Sequence, residues 1–405
     1  MKPIVRAGRM KPVHSDIRGP LFVEAMNRQK QGIDILKLNT GNPATFGFGL
    51  PDSIKNALME HMQDGVGYCD FKGMPQARQA ICDYETSKGI KGITPDDVFI
   101  GNGVSEVVSF ALTPLLNDGD EVLVPSPSYS LWGNSVYLED GKPVFYTCDE
   151  QANWYPDIQD IRSKITDKTK AIVIINPNNP TGVLYPKEIL LEIIQVAREF
   201  GLLIFADEIY DRLVMDGKQH ISLASLTEDV PVITLNGLSK SHCLCGYRCG
   251  WMVISGPREL TEDYRQGIIQ LTSLRLCANT MAQIVIPAAL DDMDTPASMV
   301  RPGGRIYEQR EATVRELEKI DGLSFVKNDA AFYVFPKLDV KKFNITNDKQ
   351  FAHDLLDATN ILLVPGSGFD WKDPNHFRIV MLPQADVLSD AIRRMGTFLD
   401  GYKQK

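Results

Sequence analysis

Through the middle of the chain, short runs of apolar, mostly β-branched residues alternate with stripes of apolar residues at helical spacing. Val98–Ile100 is one such run, and it stops at Gly101-Asn102-Gly103. From Ser105 the positions Val107, Val108, Ala111, Leu112, Leu115 and Leu116 recur at the spacing of a helix. Glu121–Val124, Ala171–Ile175, Leu202–Ala206, Val232–Leu235 and Trp251–Ile254 read as further strands. Ala171–Ile175 is continuously apolar, as a strand buried on both faces should be. It ends at Asn176-Pro177-Asn178-Asn179-Pro180, where two prolines forbid continuation. Pro186 suits a first helical turn, Leu190, Leu191, Ile194 and Ala197 supply an apolar stripe, and Gly201 marks its stop. This strand, helix, strand rhythm predicts an α/β fold with a mostly parallel sheet flanked by helices, and ligands gather at the carboxyl ends of such strands.

The texture changes near residue 290. Helical segments at Tyr307–Ile320 and Gln350–Asp357 mix there with short β-runs at Phe332–Phe335 and Phe377–Val380, which predicts a smaller α+β domain. The division read from these shifts is 1–48, a Pro/Gly-punctuated N-terminal segment packing with the small domain; 49–290, a large domain; and 291–405, the small C-terminal domain.

Composition narrows the class. The 405 residues are 43% hydrophobic and 23% charged, which is globular, and the net charge of −9 argues against a nucleic-acid or anionic-membrane partner. The most apolar long window, 268–290, is broken by Gln270, Arg275, Asn279 and Gln283, so it is a poor lipid-spanning segment. The first twenty residues carry basic charge without an apolar h-region. Seven cysteines in a chain this long make no disulfide scaffold, and a cytoplasmic protein is the expectation. Cys243, Cys245 and Cys249 have poor zinc spacing and no histidine pair completes them, so no metal site is expected.

Four strand ends are chemically loaded. Lys240 follows the run Val232–Leu235, with Ser239 beside it and Arg248 before the next strand; a hydroxyl and a guanidinium near one amine suit a phosphate next to a Schiff base. A solvated surface lysine is the plain alternative. Asp207 follows LLIFA directly, and Tyr210 lies three residues on. A strand-end aspartate can cap a helix, bind a metal or ribose, or hold a pyridinium nitrogen protonated, which makes that ring an electron sink. Asn179-Pro180-Thr181-Gly182 is a turn whose amide could reach a ring phenolate oxygen or a substrate carboxylate. Gly101-Asn102-Gly103-Val104-Ser105 leads into a helix, so free N–H groups and the helix dipole there could hold a phosphate.

In combination, Asn179-Pro180-Thr181-Gly182, Asp207-Glu208-Ile209-Tyr210, Ser239-Lys240 and Gly246-Tyr247-Arg248-x-Gly250-Trp251 resemble the class I/II, fold type I aminotransferases, which use pyridoxal 5'-phosphate. The likeness runs from Asp16-Ile17-Arg18-Gly19-Pro20 and Leu38-Asn39-Thr40-Gly41-Asn42-Pro43 to Phe377-Arg378-Ile379. Within the family the chain is most similar to bacterial glutamate–pyruvate (alanine) aminotransferases, on DIRGP at 16–20, GNPATFGF at 41–48, GYCDFKG at 67–73, LRLCAN at 274–279 and LLVPGSGF at 362–369.

The resemblance implies a large domain with a seven-stranded sheet, and it assigns roles. Lys240 carries the Schiff base and shuttles the proton at the substrate α-carbon. Asp207 pairs with the pyridine nitrogen, Tyr210 and Asn179 hydrogen-bond the ring oxygen, and Tyr129 stacks on the ring. Gly103, Val104, Ser105, Ser239 and Arg248 form the phosphate cup, and Tyr68 reaches the phosphate of the neighbouring subunit, which implies a homodimer with shared active sites. Arg378 forks onto the substrate α-carboxylate with help from the Gly41 N–H and Asn179, and Arg18 takes the second carboxylate of glutamate. The reaction implied is ping-pong transfer of the amino group from glutamate to pyruvate. Other readings are transamination of aspartate, an aromatic amino acid or 2-aminoadipate, and a C–S β-lyase of the same fold type. A DNA-binding regulator built on this domain would need a winged-helix segment, for which the residues ahead of the first motif are too few. The chain departs from the family at Ser241-His242-Cys243-Leu244-Cys245, at Ser15 and at Asn328-Asp329-Ala330.

Overall fold

A computed structural model describes residues 2–405. Its centre is an eight-stranded sheet in the order Val98–Asn102, Cys249–Ser255, Val232–Gly237, Leu203–Asp207, Thr169–Ile175, Glu121–Ser126, Lys142–Asp149 and Tyr155–Pro156. Only Cys249–Ser255 and Tyr155–Pro156 run against the rest. The expected seven strands are therefore joined by an eighth, a two-residue edge piece too short to leave a period in the sequence.

Alternation along the central strands explains their unbroken apolar character. Ile172, Ile174, Ile204 and Ala206 enter one core with Leu190, Ile193 and Val196 of the helix Lys187–Phe200. Ala171, Val173, Ile175, Leu203 and Phe205 point the other way, into a core with Val107, Val108, Trp132 and Ile268. Each fully buried aliphatic contributes about 1.5–3 kcal/mol. The stripe of Lys187–Phe200 loses Leu191 from the expected set and gains Ile193 and Val196. Ile193 is buried while Leu191 is 42% exposed, since one residue past Leu190 is a rotation of about 100° out of the core. Likewise the helix from Val104 stops at Leu112, ahead of Pro114, so Leu115 and Leu116 pack from a turn.

A second core lies under the C-terminal strands. Tyr333–Val334 and Val364–Pro365 both pair antiparallel with Phe377–Val380. Phe377 and Ile379 join Val334, Phe351, Leu388 and Met395 beneath the helix Ala385–Asp400, so Arg378, between them in the strand, points to the opposite face. The helices here run Arg305–Leu317 and Asp348–Thr359, the latter capped by Asn347. The N-terminal segment ties into this region: Leu36–Lys37 pairs with Ile361–Leu362, and Ala25 packs on Leu356 and Leu362. It also reaches the large sheet's layer, where His14 N donates to Asn134 Oδ1 at 3.1 Å.

No single helix among the described residues is long and apolar enough to cross a membrane. Arg258–Arg275 and Thr280–Asp291 combine length with apolar character only as a pair, and that pair is bent by 119°.

Strand register gathers the loaded segments on one edge of the sheet. Ile175 pairs with Asp207, Asp207 with Leu235, Gly237 with Gly250, and Gly250 with Gly101. Gly250 is where two backbones meet: a Cβ there would stand 2.6 Å from the carbonyl carbon of Gly103 and 3.0 Å from its Cα. Gly250→Ala is expected to displace the Gly103–Val104 turn and destabilise the fold by about 1–3 kcal/mol, read as a lower thermal midpoint. An unchanged midpoint would contradict this packing.

Candidate active site

Lys240 sits in the four-residue helix Leu238–Ser241, directly after the strand Val232–Gly237. Leu238, buried in a core with Trp251 and Val98, anchors the turn. Lys240 Nζ donates to Gly41 O at 2.9 Å and lies 5.7 Å from the centre of the Phe332 ring. Burial lowers the basicity of this ammonium, but Tyr333, Cys245 and Tyr129 around it outweigh that and hold it above the ordinary lysine value. The amine is thus sheltered and charged until another group takes its proton.

The strand below is fastened. Asn236 Nδ2 donates to Asp211 Oδ2 at 2.7 Å. Lys88 Nζ binds Glu85, Glu208 and Asp211 at 2.6, 2.9 and 3.3 Å, all three carboxylates buried. Glu208, Asp211 and His220 present ligand-type atoms within 4.8 Å of one another, but the Lys88 ammonium already serves two of these carboxylates as their cation.

Asp207 ends its strand and is 5% exposed. Its Oδ2 accepts from Trp132 Nε1 at 3.0 Å, and its Oδ1 has only the Ile209 N–H, at 3.4 Å. Burial raises its pKa to about 6, opposed by the Trp132 hydrogen bond. No cation pairs with it among the described residues. Tyr129 precedes Trp132 by three residues at the start of the helix Leu131–Leu138.

On the other side, Tyr210 OH lies 2.8 Å from Tyr333 OH, and burial together with that neighbour pushes the Tyr210 phenol well up. Arg378 is 1% exposed. Its Nη1 donates to Asn179 Oδ1 at 3.0 Å and its Nη2 to Asn39 O. The guanidinium is sandwiched between the rings of Tyr333 and Phe369, each centre 4.7 Å away. Nε is buried without a partner. Among the described residues no carboxylate pairs with this cation. Burial lowers its pKa, against the neighbouring tyrosines.

The Asn179 turn is held from the C-terminal part. Asp329 N and Ala330 N donate to Gly182 O at 3.0 and 2.9 Å. This gives the unusual Asn328-Asp329-Ala330 stretch a structural task. The other departure is also structural: His242 is buried, contacts Ser241 Oγ at 3.0 Å and Asp292 O at 3.3 Å, and burial lowers its pKa to about 4.

Gly103 heads the helix Val104–Leu112, leaving the N–H groups of Val104 and Ser105 in the first turn. The Arg248 guanidinium lies where a Gly103 side chain would be, and its Nη1 donates to Cys245 O at 2.9 Å. Ser239 O accepts from Cys245 Sγ at 2.9 Å. Among the described residues, the Ser105 and Ser239 hydroxyls have no partner. Two sequence candidates stand apart from these contacts. Tyr68 is 84% exposed, and Arg18 is exposed on the segment whose Ile17 O accepts from Asn39 Nδ2 at 2.9 Å.

Three contributors were not read as site residues from sequence: Trp132, Tyr333 and Asn39. Trp132 stands three residues after Tyr129, and Tyr333 lies in a β-run whose pattern shows only a strand.

Together these groups suit a phosphorylated pyridine aldehyde and a carboxylate substrate. A buried carboxylate without a cation matches a protonated ring nitrogen, a helix N-terminus with an arginine matches phosphate, and a buried guanidinium without an anion matches a carboxylate. The chain belongs to the aminotransferase class I and II family, whose model matches residues 33–394. The "Glutamate-pyruvate aminotransferase AlaA" of Haemophilus influenzae is 49% identical over 404 residues, covering 100% of both chains. Among solved structures, an aminotransferase from Escherichia coli superposes with a TM-score of 0.98 at 46% identity, covering 100% of both chains. The alanine aminotransferase from Pyrococcus furiosus gives a TM-score of 0.93 at 40% identity, covering 98% of this chain and 100% of that one.

Proposed function

We propose that this transaminase moves the amino group of glutamate to pyruvate with pyridoxal 5'-phosphate as its cofactor. One observation carries the reading: a buried arginine with no carboxylate partner, held by Asn179 in the site that presents Lys240. When bound, pyridoxal phosphate supplies an aldehyde that captures the amine and a ring that accepts the electron pair freed at the α-carbon. The protein supplies the rest. Once it has given up its own extra proton, the neutral Lys240 Nζ would take the proton from the substrate α-carbon and return it one carbon away, which suits a sheltered amine. Asp207 Oδ1, the less engaged carboxylate oxygen, would hold the ring nitrogen, and Tyr210 and Asn179 would hold the ring oxygen. Tyr129 covers the ring face. Gly103, Val104, Ser105, Ser239 and Arg248 cradle the phosphate. Arg378 aligns the α-carboxylate so that the α-hydrogen faces the lysine.

Arg18 binds the second carboxylate of glutamate and withdraws for pyruvate, as an exposed side chain on a segment tethered through Asn39 can do. Tyr68 completes the phosphate site of a second copy. The exposed apolar side chains Met59, Met62, Val66, Leu274 and Leu276 support such a homodimer. Seven free cysteines support a reducing, cytoplasmic setting. The domain division at 48 and 290 belongs to the same reading.

A donor and acceptor panel on purified holoenzyme tests it. Alanine and glutamate are expected to exceed aspartate, aromatic amino acids and 2-aminoadipate in kcat/KM, and cystathionine should release no pyruvate. Arg18→Gln should lower kcat/KM for glutamate by about tenfold or more and leave alanine nearly unchanged. Equal losses for both amino acids would remove Arg18 from this role. A panel led by another donor would overturn the alanine assignment.

A further inference from the structure

We propose that Trp132 is the positioning residue for Asp207: its indole N–H fixes one carboxylate oxygen and turns the other toward the ring nitrogen of the cofactor. This rests on the pyridoxal phosphate reading above.

The two oxygens of Asp207 are not equivalent. Oδ2 takes the Trp132 Nε1 hydrogen bond at 3.0 Å, within the normal range. Oδ1 has only a long 3.4 Å approach from the Ile209 N–H, so it keeps capacity for a strong donor. Trp132 is held rigidly enough to impose this difference. It is fully buried, its ring lies 5.3 Å from that of Phe205, and Phe205 is two residues before Asp207 in the same strand. Trp132 N also donates to Tyr129 O at 3.4 Å, so the residue over the ring face and the residue behind the carboxylate share one turn.

The chemistry of the donor matters. An indole N–H donates only, carries no charge and does not titrate. It favours the ionised carboxylate in a buried place without neutralising it, which leaves the ring proton as the charged partner of Asp207. A charged donor at this position would compete with that proton.

The test is cofactor rebinding, followed by absorbance after holoenzyme is stripped by dialysis. Trp132→Phe keeps an aromatic ring against Phe205 and removes the N–H. It should weaken pyridoxal phosphate binding by about tenfold or more. In the Asp207→Asn background the same change should add little, because the residue acts through Asp207. Rebinding by Trp132→Phe equal to wild type overturns the proposal, as do losses that multiply in the double variant, which a packing role predicts. If the phenylalanine variant does not fold, Trp132→Leu, also without a donor, carries the same comparison. Wild-type protein that rebinds no pyridoxal phosphate would instead defeat the cofactor reading, a separate outcome.

Discussion

Lys240→Ala is expected to abolish transamination, with a fall in kcat of roughly four orders of magnitude or more, because in the proposed reading one amine supplies both the covalent attachment and the proton transfer. The protein should fold normally. Lys240 Nζ has one hydrogen bond, to Gly41 O, and no carboxylate partner, so its loss leaves no buried anion uncompensated. The variant's Asp207, Arg248 and Arg378 remain in place, so it should still take up pyridoxal phosphate non-covalently. Product formation from glutamate and pyruvate, measured alongside cofactor absorbance, checks both halves. Activity within tenfold of wild type would remove the lysine from the chemistry.

Removing Arg378 has the second-largest expected effect, and its sign differs between activity and stability. Arg378→Lys should lower kcat/KM by roughly a hundredfold or more for glutamate and alanine alike, since the α-carboxylate is common to both. A lysine offers a point charge where the site is shaped for a fork: Asn179 and Asn39 fix two nitrogens, and Tyr333 and Phe369 clamp the faces. Stability should not fall in step. A buried cation without a counter-ion is a burden that binding relieves, so Arg378→Met is expected to melt at or above the wild-type temperature without substrate. Unchanged KM values for both amino acids would contradict the assignment.

The parts of the site that sequence revealed share a physical origin. Asp207 and Asn179 follow continuously apolar runs and Lys240 follows the β-rich run Val232–Leu235, and runs of these kinds fix both the strand and the place where it ends. Two-residue strands such as Tyr155–Pro156 are too short for any period to show. Leu191 illustrates the limit of composition: it is as apolar as Ile193, and only the helical angle decides which is buried. Trp132 and Tyr333 were hidden for another reason. Trp132 meets Asp207 across 75 residues and Tyr333 meets Tyr210 across 123, so their polar tips find partners only after the sheet is assembled. A buried aromatic looks the same in sequence whether its tip holds a catalytic group or a backbone carbonyl. The Asn328–Ala330 stretch is similar, because its partner is the Gly182 carbonyl in a different part of the fold.

Borohydride reduction of the holoenzyme, followed by peptide mapping, addresses the central claim most directly. A pyridoxyl label found stoichiometrically on the peptide that contains Lys240, and absent from Lys240→Ala, is the predicted outcome. A label on any other lysine, or none at all, would contradict the account.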